Sequence, residues 1–199
     1  MTKQALLIFT KNPEAGKVKT RLAATLGDET ALSVYKQLLL YTVSATKCLP
    51  VDKFVFYSNY IEQEDVWDGK QYYKELQQGN DLGKRMGNAF ASIFEKGYDK
   101  AVIIGTDCPD LNAGIIINAF AYLDVHDVVI GPAEDGGYYL LGMKILHHEL
   151  FQKIKWSTCT VLIDTISKCT ALQLDCSMLP VLKDIDEEKD LQAFNLHKL

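Results

Sequence analysis

The run KAVIIGTD at 100–107 sets four apolar residues in unbroken succession and ends on a carboxylate. A strand with one wet face alternates apolar and polar residues. An unbroken run belongs to a strand covered on both faces, and hence to a parallel sheet between two helical layers. ALLIF at 5–9, bounded by Lys11 and Pro13, has the same character. KFVFYSN (53–59) reads as another strand and QYYKEL (71–76) as a short third. DVVIGP and GYYLLGM are two further β segments, joined by AEDGG, and LQLDCSML is a late strand. The joint between 127–131 and 137–143 is too short for a parallel crossover, which takes about a dozen residues, so this pair is antiparallel.

Helical periods fill the intervals. DETALSVYKQLLLYTVSAT carries Leu32, Tyr35, Leu39 and Val43 at helical spacing, with Asp28 as its N-cap. NDLGKRMGNAFASIFEKG places Met86, Ala89, Phe90, Ile93 and Phe94 on one face, with Asp81 as cap and Gly97 as terminator. Asn112 caps AGIIINAFAYL, Ser157 caps a helix running to about Lys168, and DEEKDLQAFN is a last short helix starting at Ile185 or Asp186. Strands alternating with helices make an α/β domain. The expectation is a three-layer α/β/α sandwich around a mixed, mainly parallel sheet, with residues 1–199 forming one domain.

Composition excludes several classes. A net charge of −5 argues against a nucleic-acid binder, whose affinity comes from surplus Lys and Arg. No apolar stretch approaches the roughly 20 residues of a membrane span, and the first residues lack the pattern of a signal peptide. Five cysteines, odd in number and without a C-x-x-C pair, suit reduced thiols and a cytoplasmic location.

Ligands of open α/β sheets bind at the carboxyl ends of the strands, so residues following the strands are the site candidates. In NPEAGKVKTRL (12–22), Lys17, Lys19 and Arg21 share one side of an extended segment. If a helix begins near Val18, Lys17 and Arg21 share a face instead. Gly16 frees the backbone to approach an anion. A solvated basic turn is the competing reading, and the loop is neither a Walker loop nor a G-x-G-x-x-G fingerprint.

In GTDCPDL (105–111), Asp107 is placed either to hold a hard cation, which takes one or two carboxylates with phosphate oxygens and water, or with Asp110 to shape a turn. Cys108 has no histidine partner near it: His126, His147, His148 and His197 form no recognisable pattern, which argues against a catalytic thiol. In GPAEDGGYYLLG (131–142), Asp135 is a base, a metal ligand or a hydrogen-bond acceptor, or with Glu134 an exposed loop acid. Gly136 and Gly137 mark a tight backbone against which a ligand can lie. In KDIDEEKDL (183–191), Asp184 and Asp186 project to one side, and Asp186 is either a ligand or a helix cap. In WSTCT (156–160), Trp156 reads as packing.

Taken in order, FTKNPEAGKVKTRL, NDLGKRM, GTDCPDL, GPAEDGGYYLLG, WST and DIDEEKDL resemble a bacterial family of small transferases with the glycosyltransferase-A (nucleotide-diphospho-sugar transferase) fold, catalogued as a domain of unknown function. More distantly the layout is similar to nucleotidyltransferases that load a nucleotide onto a small phosphorylated acceptor. The resemblance implies a nucleotide or nucleotide-sugar donor across the carboxyl edge of the sheet, and a small-molecule acceptor. It implies phosphate binding by Gly16, Lys17, Lys19, Arg21 and backbone amides, with Asp81 toward the base and Arg85 toward phosphate. It implies a divalent cation, Mg²⁺ or Mn²⁺, on Asp107 with Asp186 and Asp184, while Asp107 and Asp135 act in catalysis and Gly136 and Gly137 face the acceptor. Two features depart from the pattern. Asp107-Cys-Pro-Asp110 replaces the Asp-x-Asp usual in these glycosyltransferases, and the first loop is poorer in glycine than that of the nucleotidyltransferases. Sugar transfer, nucleotidyl transfer with pyrophosphate release, and non-catalytic nucleotide binding are the three functional expectations, in that order.

Overall fold

A computed structural model describes residues 2–192 of the chain. Met1 and residues 193–199, which include the end of the expected last helix and His197, lie outside the described residues. The elements are β1 (Gln4–Thr10), α1 (Thr20–Leu26), α2 (Asp28–Thr46), β2 (Asp52–Tyr57), β3 (Tyr72–Leu76), α3 (Leu82–Glu95), β4 (Lys100–Ile104), α4 (Ala113–Tyr122), β5 (Val128–Pro132), β6 (Tyr138–Met143), α5 (Val161–Ala171), β7 (Cys176–Met178) and α6 (Glu188–Gln192), with a 3₁₀ turn at His148–Phe151.

The strands form one seven-stranded sheet in the order β3-β2-β1-β4-β6-β5-β7. Every neighbouring pair is parallel except those of β6, which runs antiparallel to both β4 and β5. The mixed sheet expected from the short AEDGG joint is present.

Strand alternation divides the core into two layers. Leu6, Ile8, Val55, Tyr57, Val102 and Ile104 face Tyr35 and Leu39 of α2 and Ile116, Ala119 and Phe120 of α4. Ala5, Leu7, Phe54, Phe56, Ala101 and Ile103 face Met86, Ala89, Phe90 and Ile93 of α3, the 3₁₀ turn and Cys169 of α5. All five residues of β4 are buried, as its unbroken apolar run requires.

A third, smaller cluster was not anticipated. Ala31, Val34 and Leu38 on a second face of α2 pack with Leu22 of α1 and Ile185 of the C-terminal segment. It clamps two segments, distant in sequence, beside the carboxyl edge of the sheet.

Several local expectations are corrected. Asp28 is the first helical residue of α2 and Gly27 is the N-cap, because the chain turns there directly from α1 with φ +83°. The helix expected from Ser157 begins at Val161 after Thr160; Ser157 itself sits at φ +62°, outside the helical region. The late strand is only Cys176–Met178, since Leu172 caps α5 and Gln173 takes φ +56°. The last helix begins at Glu188, because Asp190 turns back to accept the N–H groups of Asp186 and Glu187. Asp81 and Asn112 cap α3 and α4 as expected, accepting from the Lys84 and Ile115 N–H groups. Among the described residues no helix is long and apolar enough to cross a membrane.

Candidate active site

The sheet order contains a switch point. From β1 the chain proceeds to β2 on one side, and after β3 it returns to place β4 on the other side of β1. Loops leaving the carboxyl ends of β1 and β4 therefore diverge and leave a crevice between them, where open α/β sheets bind ligands. Here the crevice is a cleft of about 860 Å³.

The loop after β1 is held from below. Tyr35, buried on α2, accepts the Lys11 N–H at 2.8 Å, and its hydroxyl lies 3.1 Å from that of Thr10 and 3.4 Å from that of Thr106. Asn12 fastens the loop to the end of β2: its Oδ1 accepts from Asn59 N at 3.1 Å and its Nδ2 donates to Tyr60 O at 2.9 Å. The chain then turns at Gly16, φ +75°, beside the Asp28 carboxylate. Lys19 takes a left-handed conformation, φ 48° and ψ 46°, and α1 begins at Thr20. The helix near Val18 therefore starts two residues later, and Lys17 and Arg21 do not share its face. Lys17 instead pairs with Glu14 at 2.6 Å in solvent, and neither it nor Gly16 lines the cleft.

The loop after β4 supplies Asp107, three residues past the strand. The C-terminal segment arrives beside it by pairing with the β5 edge: Ala133 bridges to Leu182, Leu182 N donates to Pro132 O, and Ile185 N donates to Asp107 O at 3.1 Å. With Ile185 buried in the third cluster, the acids on either side of it, Asp184 and Asp186, are left lining the cleft.

These segments meet in one ion cluster. Lys19 Nζ lies 2.5 Å from Asp107 Oδ1 and 3.2 Å from Asp186 Oδ1, and Arg21 reaches Asp186 Oδ2 at 3.4 Å. The Lys19 side chain is 4% exposed against 47% for Asp107 and 38% for Asp186. Burial works against its charge, but the two carboxylates outweigh burial and raise its pKa. Asp184 is pushed up to about 6, first by burial and then by the like charge of Asp135, with Asp186 adding to it. Burial, with Asp107 beside it, pushes the Cys108 thiol up and keeps it protonated.

Asp135, Gly137, Asp81, Arg85 and Trp156 also line the cleft. Asp135 sits in the turn between β5 and β6 and accepts the Gly137 N–H at 2.8 Å. Gly136, φ +87°, packs against the chain at Cys159, where a Cβ would stand 2.2 Å from the carbonyl oxygen. It braces the turn and does not line the cleft. Arg85 is aimed by acceptors on Gly79 O at 3.0 Å and Gln77 Oε1 at 3.4 Å. Gln77 in turn donates to Thr10 O and Phe56 O, tying the ends of β1 and β2 to that arginine. Asp110 is exposed and off the cleft.

Of the residues anticipated from sequence, Lys19, Arg21, Asp81, Arg85, Asp107, Asp135, Gly137, Asp184 and Asp186 line this cleft, and Gly16, Lys17 and Gly136 do not. Tyr35, Gln77 and Thr106 were not singled out from sequence as site residues. Tyr35 carried a core-packing signal, and Gln77 and Thr106 carried none beyond lying past strands. Among the described residues no three or more His, Cys, Asp or Glu side chains are grouped as a metal site; Lys19 draws two carboxylates, Asp107 and Asp186, to one point.

Comparison with known proteins gives the same picture. A protein from Desulfovibrio desulfuricans G20, which carries the provisional name nucleotide-diphospho-sugar transferase, is 33% identical, with a TM-score of 0.87 over 97% of this chain and 86% of that one. The inositol-1-phosphate CTP transferase from T. maritima shares the fold at 13% identity, with a TM-score of 0.54 over 96% of this chain and 91% of that one. A Mycobacterium tuberculosis H37Rv protein solved with manganese shares it at 12% identity, with a TM-score of 0.55 over 96% of this chain and 97% of that one. No curated protein matches the sequence. Residues 42–158 match the model of the family described as uncharacterized proteins conserved in bacteria, DUF2064. With that match over more than half its length, the chain belongs to the DUF2064 family and folds as the nucleotide-diphospho-sugar transferases do.

Proposed function

We propose that this chain is a cytoplasmic, single-domain transferase that takes a nucleotide-activated donor, a nucleotide-diphospho-sugar, and passes its activated group to a small-molecule acceptor. The observation that carries this is the convergence of Lys19, Arg21, Asp107 and Asp186 at the switch point between β1 and β4, with Arg85 lining the same cleft. Asp107 and Asp186 converge on one point, marked by Lys19 Nζ, and two carboxylates are a donor set that suits a divalent cation, which takes one or two carboxylates and completes its shell with phosphate oxygens and water. Bound there, Mg²⁺ or Mn²⁺ supplies positive charge to the diphosphate that leaves.

The chain's own groups do the rest. Arg21, exposed at the cleft mouth, and Arg85, held by Gly79 and Gln77, are placed to bind diphosphate oxygens as charge develops on them. Asp81 is committed to capping α3 and shapes the wall beside Arg85. Asp135 lines the cleft close enough to Asp184 to act on its charge, and is the group we assign to accept the proton of an acceptor hydroxyl.

A second reading, nucleotidyl transfer with release of pyrophosphate, is favoured by Asp110. Its exposure leaves the β4 loop with one acid in the cleft, the other coming from the C-terminal segment, unlike an Asp-x-Asp pair. Incubation with nucleotide sugars or nucleoside triphosphates, with Mg²⁺ or Mn²⁺, separates the two. Nucleoside diphosphate released from a nucleotide sugar, and lost in Asp107→Asn, is the expected result; pyrophosphate from a triphosphate selects the second reading. Metal-dependent nucleotide binding without turnover points to a regulator. Unchanged binding and turnover in Asp107→Asn would remove this cleft as the site.

A further inference from the structure

Lys19 stands where a bound cation belongs. Its Nζ is 2.5 Å from Asp107 Oδ1 and 3.2 Å from Asp186 Oδ1, and its side chain is almost wholly buried. Lys19 holds this place with a left-handed backbone, φ 48° and ψ 46°, a conformation that a residue with a Cβ disfavours. The two carboxylates are what the strained residue gains. Asp186 also holds Arg21, so one carboxylate pins two of the three cationic residues that the loop brings to the cleft, Lys11 being the third.

A divalent cation on Asp107 and Asp186 sits about 2.0–2.1 Å from its oxygens if it is Mg²⁺. An ammonium 2.5 Å from the same Asp107 oxygen leaves no room for it, and the two cations repel. Resting on the assignment of Asp107 and Asp186 as the cation ligands, we propose that Lys19 and the divalent cation are exchange partners: the ammonium holds the two carboxylates together until the cation takes them, and then swings into the cleft to the donor's phosphates. Lys19 is in this sense a positioning residue, and the cation is what releases it together with Arg21.

The exchange makes cation and phosphate binding cooperative. A cation arriving alone displaces Lys19 from the two carboxylates that hold it. A phosphate in the cleft supplies the new partner. By linkage the cation strengthens phosphate binding by the same factor.

The test is Mn²⁺ binding without nucleotide, followed by calorimetry and by the electron paramagnetic resonance signal of free Mn²⁺. Wild type, Lys19→Met and Lys19→Arg are compared, with folding checked by circular dichroism and Lys19→Gln measured as a second neutral variant. Removing the competitor is expected to tighten Mn²⁺ binding at least about tenfold in Lys19→Met and Lys19→Gln, while Lys19→Arg binds as weakly as wild type. A lysine that only supported the loop would give the opposite sign, since its loss would loosen the two carboxylates. Equal or weaker Mn²⁺ binding in the folded neutral variants overturns the exchange and leaves the cation site standing, provided that Asp107→Asn abolishes the binding. Absence of Mn²⁺ binding in every protein overturns both.

Discussion

Gly83→Ala separates the stability of α3 from the shape of the cleft. Gly83 lies in the first turn of α3 at an ordinary helical conformation, so backbone preference alone favours alanine there by about 1 kcal/mol. A Cβ on Gly83, however, would stand 2.4 Å from Trp156 Nε1 and 2.6 Å from its Cε2 and Cζ2, about 1 Å closer than van der Waals contact allows. The helix is fixed by Met86, Ala89, Phe90 and Ile93 in the core, so the indole moves. If the ring loses about 100 Å² of apolar contact, the cost is roughly 2.5 kcal/mol at 25 cal/mol per Å². The net destabilisation is then about 1.5 kcal/mol, and Tm falls by about 3–6 °C for a chain of this size. Calorimetry reads the first quantity. Tryptophan emission reads the second, because Trp67 is buried and stays put, so a red shift reports Trp156. Nucleotide affinity is expected to fall with it, since Trp156 and Leu82 line the same wall. A variant with raised Tm and unchanged emission would refute the contact between Trp156 and α3.

Asp184 gives a pH signature. Its pKa of about 6 lies above the ordinary 3.8, so the folded protein holds that proton more tightly than the unfolded chain does. The resulting stability is full below about pH 4, is lost as pH rises to about 6, and stays absent above. Asp184→Asn, measured in EDTA, is expected to flatten the stability profile between those values and to raise stability at pH 7 by about 1 kcal/mol, discounted because the side chain is half exposed. An unchanged slope would assign the proton elsewhere. Tyr35→Phe removes the acceptor of the Lys11 N–H and the link between the β1 and β4 loops, at a cost of about 1–3 kcal/mol in chemical denaturation. Nucleotide binding should weaken in the same variant, and wild-type stability would show that the hydroxyl network does not hold the loop.

What could be read from the sequence was whatever depended on neighbours in the chain. The unbroken apolar runs at 5–9 and 100–107 predict strands covered on both faces, and β1 and β4 lie at the centre of the sheet with helices on both sides. The caps Asp81 and Asn112 are legible because a cap bonds three residues ahead. Ser157 fails as a cap for the complementary reason. Gly136 O takes the Leu162 N–H and the chain at Cys159 packs on Gly136, so a contact with the β5–β6 turn sets where α5 begins. Lys17 fails likewise: the spacing of its charge with Lys19 and Arg21 is regular, but the left-handed turn at Lys19 breaks the face they would share.

The site itself was half legible, and the missing half has one physical cause. Asp107 and the basic loop are readable because each follows a strand, and strand ends point to a crevice. That Lys19 and Asp186 touch is not readable, because the contact spans 167 positions and is made by neither residue's own element. It is made by Leu22 and Ile185, which bury against Ala31, Val34 and Leu38 and leave the charged residues flanking them at the cleft. α2 is therefore amphipathic twice over: Tyr35 and Leu39 serve the main core, and the other stripe serves the site. A period of 3.6 residues shows that a helix buries a face, and in α2 a second buried stripe packs the segments that carry the site. In this chain the stripe Ala31, Val34, Leu38 was in plain view, and what it lacked in sequence was a partner.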